Sequence, residues 1–351
     1  MINIIKPTNN SSIFSIMLIL LTMTGCSHNP VSVTTGYVLE SIVEEETFPY
    51  VLAQSDPDVA CNLGQSFEHF LGSVNGMTGS KNSYNAMIPL LSSLCSEDRA
   101  REEELRSIRA LRKLDIEEAK DARIIQQQWL AKTAQRRLDS FNIGMHVYEF
   151  ETTDNNPECP TFDKSRDEMS FMLSITMGAL AIKNDAESGM IVGVPRSMAS
   201  SILAAANCLD NEKLGGAPRA LQALLWQLLP NKKPANIAQD NWEILEYASR
   251  NTIVAGNHLG NALHAVTAEI SGNKEELYKA LTLYKETASN KAFSSGEFLM
   301  VEKVSISFVQ DISNILWTSE VGSRTPLGEL GSLPPTIQQD QSEDEDLDSL
   351  L

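Results

Sequence analysis

Residues 97–141 read EDRAREEELRSIRALRKLDIEEAKDARIIQQQWLAKTAQRRLDSF. The stretch contains neither glycine nor proline and is rich in Ala, Leu, Glu, Lys, Gln and Arg, the strong helix formers. It predicts one very long helix or two continuous ones. Its acids, such as Glu102, Glu103 and Glu104, stand beside Arg99, Arg101 and Arg106. That pattern reads as a solvated helix face with i,i+4 pairing rather than as an acid/base pair. Upstream, Asp56-Pro57-Asp58 opens a helix with proline in the first turn and acids at the positive dipole end. Val59, Leu63, Phe67, Phe70 and Leu71 then recur at helical spacing, and Gly72 to Gly79 reads as a flexible link before a second apolar segment, Met87 to Leu94. Downstream, residues 152–160 (TTDNNPECP) are a loop. Further helices are predicted near 163–184, 195–208, 217–229, 238–250, 253–270, 273–288 and 294–317. Strand signals such as Ile191-Val192-Gly193-Val194 are isolated and lack hairpin chemistry. The expected fold is all-α: stacked antiparallel helix pairs forming a degenerate repeat array, an α-solenoid, over residues 51–322.

The chain has 351 residues, 42% of them hydrophobic, enough for one large core or two modest ones. Its formal charge of −18 leaves no electrostatic footprint for nucleic acid. Anionic headgroups repel such a chain as well, so membrane attachment needs another device. The N-terminus supplies one. Ile13 to Met23 is an apolar run too short to span a bilayer but suited to a signal-peptide core. Thr24-Gly25-Cys26 follows and resembles a bacterial lipobox, with Met23 where leucine is commoner. The resemblance implies a signal peptide over 1–25, cleavage before Cys26, and lipidation of that cysteine. The alternative is an ordinary secretory peptide with an accidental cysteine. Ser27, rather than Asp, implies the outer membrane by the enterobacterial sorting rule. Residues 26–50 then read as a polar tether. Residues 323–351 read as a disordered acidic tail, carrying six acids and no base from 340 onward.

Four other cysteines remain: Cys61, Cys95, Cys159 and Cys208. An oxidising compartment permits disulfides, and four cysteines allow three connectivities. Cys61 and Cys95 lie symmetrically about position 78, so an antiparallel hairpin brings them to one end. The same argument pairs Cys159 with Cys208. Each bridge contributes about 3–4 kcal/mol in the chain-entropy model. Four buried free thiols are the alternative. No Cys-x-x-Cys and no histidine cluster points to a metal, and no cofactor fingerprint is present.

Catalytic motifs are lacking too: no His-Glu-x-x-His and no Gly-x-Ser-x-Gly. Residues 72–81 (GSVNGMTGSK) resemble a phosphate loop superficially, but the lysine does not follow a glycine and no buried strand precedes it. His258 and His264 are six apart and lie on different faces of one helix, so neither reads as a shared metal ligand. The sequence gives no reason to expect an enzyme.

The most informative stretch is 169–230, running MSFMLSITMGALAIKNDAES, VPRSMASSILAAANCLD, then GGAPRALQALLWQLLP. This order resembles the T-component lipoproteins of tripartite ATP-independent periplasmic (TRAP) transporters, built of degenerate tetratricopeptide-like helix pairs. Residues 257–288 resemble a generic tetratricopeptide unit. The resemblance implies a periplasm-facing protein held on the membrane by its lipid anchor. It would partner a periplasmic substrate-binding protein, pass an organic-acid or apolar ligand through a pore, and assemble as a homotrimer. The alternative is a tetratricopeptide-like interaction scaffold in cell-envelope assembly. Candidate ligand residues are Arg219, Trp226, Trp242 and His258, with Tyr247 nearby, since helix-lined pockets use aromatics with a few polar groups. Trp226 and Trp242 read more readily as inter-repeat core. Arg219 either holds a carboxylate ligand or pairs with a nearby acid.

Overall fold

The computed structural model describes residues 30–78, 82–151, 157–289 and 296–337. The expected signal peptide, Cys26 and the acidic run from 340 onward lie outside them. Among the described residues there are thirteen α-helices and no strand, and no helix is long and apolar enough to cross a membrane.

The 97–141 stretch belongs to a hairpin of two helices, α4 (Tyr84–Arg112) and α5 (Ile116–Val147). Leu114 takes φ 60°, and the Asp115 side chain accepts from the Glu118 N–H at 3.2 Å to cap the second helix. Met87 to Leu94 therefore starts α4 rather than forming a separate segment. Ahead of it, α3 (Pro57–Thr78) runs unbroken through Gly72 and Gly76, so the expected flexible link is helix as far as Thr78, with Gly79 outside the described residues. A helix tolerates such glycines at about 1 kcal/mol each when packing compensates.

α6 (Ser165–Ser188) lies against α5 and is buried along most of its length, with Phe171, Ile175 and Ala179 fully so. Tyr148, Phe150 and Phe162 pack edge-on or tilted around the Phe171 ring at 5.2–5.9 Å. After α6, Ile191 to Val194 forms no strand. The buried Asp185 carboxylate accepts from Val192 N–H at 2.9 Å and Val194 N–H at 2.7 Å, and this ties the loop down. α7 (Met198–Ala206), α8 (Ala217–Leu228) and α9 (Asn241–Arg250) follow. The expected helix at 253–270 is broken. Gly256 at φ 67° ends a short α10 (Thr252–Ala255), and α11 (Leu259–Ser271) starts afresh. α12 (Lys274–Ala288) and α13 (Leu299–Val321) complete the set.

The fold is all-α as expected, and its last helix, α13, packs on α4 as well as on α11. Two expectations at the ends of the domain need correction. The tether is not a tether. α1 (Pro30–Ile42), a π-turn (Val43–Thr47) and α2 (Phe48–Leu52) form a continuous helical run that buries Val43, Phe48, Val51 and Leu52. The tail boundary also moves, because residues 323–337 pack on the domain. Trp317 Nε1 donates to the Ser332 carbonyl at 3.0 Å, Thr325 N–H donates to Asn314 Oδ1 at 3.2 Å, and Ile337 is buried.

Two disulfides are present, Cys61–Cys95 between α3 and α4, and Cys159–Cys208, with Cα separations of 5.5 and 5.3 Å. Near the first, a Cβ at Gly64 would stand 2.5 Å from the Ser92 backbone nitrogen. Charge is also buried at the centre. Arg101 on α4 donates to both Glu269 oxygens on α11, at 2.9 and 3.1 Å, and to Glu104 at 2.9 Å. Lys183 on α6 lies 3.6 Å from Glu269 and 2.9 Å from Glu187. Arg137 on α5, fully buried, donates to Glu97 and Asn184. Burial alone would raise the Glu269 carboxyl, but Arg101 and Lys183 outweigh it and hold it down to about 2.

Gly64→Ala is expected to push α3 off α4 and to lower unfolding free energy by about 1–3 kcal/mol. Gly72→Ala, with open space around its Cβ, raises it by about 0.5–1 kcal/mol. Denaturant titration of the two variants checks the pair. Glu269 has a depressed folded pKa, so its stabilisation is complete above 4.5 and fades as pH falls toward 2. Glu269→Gln leaves Arg101 and Lys183 without it and costs about 3 kcal/mol near neutrality. The same variant removes the corresponding part of the acid-induced loss, measured as unfolding free energy against pH.

Candidate functional site

A polar cleft of about 530 Å³ opens between the end of α7, the 207–216 turn, the start of α8 and α9. Its walls include Asn207, Asn211, Glu212, Arg219, Gln222 and Tyr247. The turn is built by local chemistry. Asp210 Oδ1 accepts from the backbone N–H groups of Glu212 and Lys213, each at 3.0 Å. Gly215 and Gly216 then take φ 60° and 87°. A Cβ at Gly215 would meet the Asn251 carbonyl oxygen at 2.7 Å, so only glycine lets the turn sit this close to the end of α9. Pro218 follows in the first turn of α8.

Arg219 is half-buried in the first turn of α8. Its backbone N–H donates to Asn211 Oδ1 at 3.1 Å, and its Nη1 donates to Gln222 Oε1 at 2.9 Å. Gln222 is buried and its Nε2 donates onward to Asn207 Oδ1 at 2.9 Å and to the Leu203 carbonyl at 3.2 Å. The guanidinium carbon lies 5.2 Å from the centroid of the Trp226 ring, and Lys233 Nζ lies 5.7 Å from the same ring. No carboxylate among the described residues lies within ion-pair distance of Arg219. Glu212, on the same wall, instead accepts from Tyr247 Oη at 2.8 Å. The result is a guanidinium set among neutral amides, while the Tyr247 hydroxyl and the Asn211 amide are spent on Glu212. The guanidinium is the group that suits a carboxylate or another small oxyanion.

Of the four sequence candidates, the structure brings Arg219 and Trp226 together. Trp226 is also core, being 2% exposed, and its indole N–H has no hydrogen-bond partner. Trp226 contacts Arg219 from behind the wall, and none of Trp226, Trp242 and His258 lines the cleft. The Trp242 ring lies 6.2 Å from His264. His258 is buried, with Nδ1 2.9 Å from both Glu302 oxygens and Nε2 2.9 Å from Thr287 Oγ1. It joins α11, α12 and α13 rather than facing a ligand.

Asn207, Asn211, Gln222 and Tyr247 complete the cleft, and all but Tyr247 escaped notice as site residues. Gln222 has a signal, since 219, 222 and 226 share one helix face. The asparagines gave none, because their role depends on how the turn folds.

A second constellation has the order of a serine-hydrolase triad. Ser249 Oγ lies 3.0 Å from His264 Nδ1, and His264 Nε2 lies 2.9 Å from Glu276 Oε2. Ser249 and His264 are both fully buried, so no substrate carbonyl can reach the hydroxyl. Burial holds the His264 pKa below its ordinary value, against the pull of Glu276, and the neutral ring links α9, α11 and α12. There is also an apolar cavity of about 40 Å³ between α2, α4, α6, α11 and α13, lined by Met87, Leu180, Leu263 and Met300. That volume is far below what an alkyl ligand needs. Among the described residues, no group of three or more His, Cys, Asp or Glu side chains is placed to hold a metal ion.

The chain matches no family model, no curated protein and no solved structure.

Gly215→Ala is expected to lower stability by about 2 kcal/mol or more, because a positive φ and a backbone clash combine. Arg219→Ala, which removes a partly exposed cation without an ion-pair partner, costs about 1 kcal/mol or less. Thermal and denaturant unfolding of the two variants measures the contrast. A large loss for Arg219→Ala would mark it as a structural residue.

Proposed function

We propose that this chain is a lipid-anchored, periplasm-facing binding protein whose Arg219 cleft takes a small organic anion. The observation that carries the reading is the half-buried Arg219 guanidinium, held by Gln222 and Trp226 in a polar cleft and paired with no acid in a chain of net charge −18. A carboxylate ligand supplies the missing partner. The small volume of the central apolar cavity favours this ligand class over an apolar one. The TRAP-transporter role, with a periplasmic substrate-binding protein as partner and a homotrimer as assembly, rests on the resemblance over 169–230. That same stretch forms α6, α7, α8 and much of the cleft wall.

The scaffold reading draws support from one feature. The tip of the α4–α5 hairpin exposes Leu111, Leu114 and Ile116 at 51%, 82% and 48%, an apolar end suited to a protein partner.

Calorimetric titration with short mono- and dicarboxylates, using the matched amides as uncharged controls, tests the proposal. Carboxylates are expected to bind and amides to fail. Arg219→Ala abolishes binding, and Arg219→Lys weakens it at least about tenfold, because lysine lacks the bidentate fork. Absence of carboxylate binding at millimolar concentration, or binding indifferent to Arg219→Ala, overturns the reading. Partner capture lost on Leu114→Asp with carboxylate binding absent would favour the scaffold.

A further inference from the structure

α1 has an unusual composition for a surface helix. Its sequence, PVSVTTGYVLESI, holds one charged residue in thirteen, Glu40. Glu40 is buried on the inner face and accepts from Thr78 Oγ1. The outer face carries no charge. It exposes Val31, Tyr37, Val38 and Ile42 at 70%, 51%, 54% and 50%, with Thr34, Thr35 and Ser41 among them. The Thr35 hydroxyl donates to the Val31 carbonyl at 2.8 Å, and Tyr37 Oη donates to the Thr78 carbonyl at 3.3 Å. These polar groups are therefore satisfied within the protein. Tyr50 on α2 adds a further ring, 68% exposed. An outer face without charge, on a chain with 46 acids, is not made for water.

Chain length says what it faces. Only residues 27–29 separate Cys26 from the first residue of α1. Four residue steps span at most about 14 Å. With Cys26 acylated, the start of α1 is held that close to the bilayer. A helix of this length measures about 20 Å and can lie along the surface. Val31, Val38 and Ile42 follow one face at spacings of seven and four, and tyrosines suit headgroup depth. Glu44 and Glu46 come next in the chain and repel anionic headgroups, while Glu45 between them pairs with Lys164 and Arg166. We infer that the outer face of α1 is a membrane-contact surface that seats the domain directly on a zwitterionic lipid surface. The domain is then docked, not hung from a tether. The inference rests on lipidation of Cys26 and is independent of any ligand in the Arg219 cleft.

The test uses the full chain, extracted from membranes and reconstituted in phosphatidylcholine vesicles with brominated acyl chains. Bromine quenches only indoles at bilayer depth. Val38→Trp and Ile42→Trp are compared with wild type, whose four tryptophans set the baseline, and with Leu114→Trp at the hairpin tip. The mass of the N-terminal peptide is read from the same samples. The expected result is an acylated Cys26, with added quenching and a blue-shifted emission for Val38→Trp and Ile42→Trp and none for Leu114→Trp. An acylated Cys26 with unquenched, water-like emission from both variants overturns the docking and leaves the anchor standing. An unacylated Cys26 overturns both.

Discussion

The helix array is tied across its length by Arg101 reaching Glu269, a contact between residues 168 apart in sequence that joins α4 to α11. Ions in a protein interior lose hydration, and only good geometry with several partners offsets that loss. Here the guanidinium makes two bonds to one carboxylate and a third to Glu104, while Lys183 approaches the same carboxylate from α6. Shifting any of the three helices by one residue would bury a charge without its partner. Apolar contacts are non-directional, whereas these ion pairs fix specific positions on α4, α6 and α11 opposite one another. Arg137, with Glu97 and Asn184, extends the same constraint to α5.

Much of the fold was legible because helix formation is mostly local. The runs predicted at 163–184, 217–229 and 273–288 correspond to Ser165–Ser188, Ala217–Leu228 and Lys274–Ala288. Hairpin geometry also reaches the same cysteine pairs that the structure joins. The departures have a common cause. α1 is rich in Val, Ser and Thr, poor helix formers, and its helix exists because Glu40, Val43 and Phe48 find partners elsewhere in the fold. Gly72 and Gly76 resemble a link locally, yet the helix continues past them. Residues 323–337 look like the start of a tail, yet Ser332 and Ile337 are buried.

The candidate site was half legible for a similar reason. Arg219 and Trp226 stand seven apart on one helix and share a face, which spacing alone can show. Asn207 and Asn211 enter through a turn whose shape depends on two positive-φ glycines pressed against α9. His258 illustrates the opposite failure. It looked available from sequence, but Glu302, 44 residues onward, takes both its ring and its backbone N–H. Only the packing of α13 on α11 creates that pair.

The contrast between the basic residues argues for a ligand more strongly than the cleft volume does. Buried Arg101, Arg137 and Lys183 each meet at least one carboxylate, as does Arg166 with Glu45. Acids are abundant in this chain, so a half-buried arginine could readily have one. Glu212 stands on the same wall as Arg219, yet its carboxylate engages Tyr247. Gln222, where a glutamate would neutralise the cation, supplies an amide oxygen and spends its N–H groups on Asn207 and Leu203. Each choice orients the guanidinium without cancelling its charge. On the proposed reading, that unspent positive charge is what an anion from outside the chain would meet.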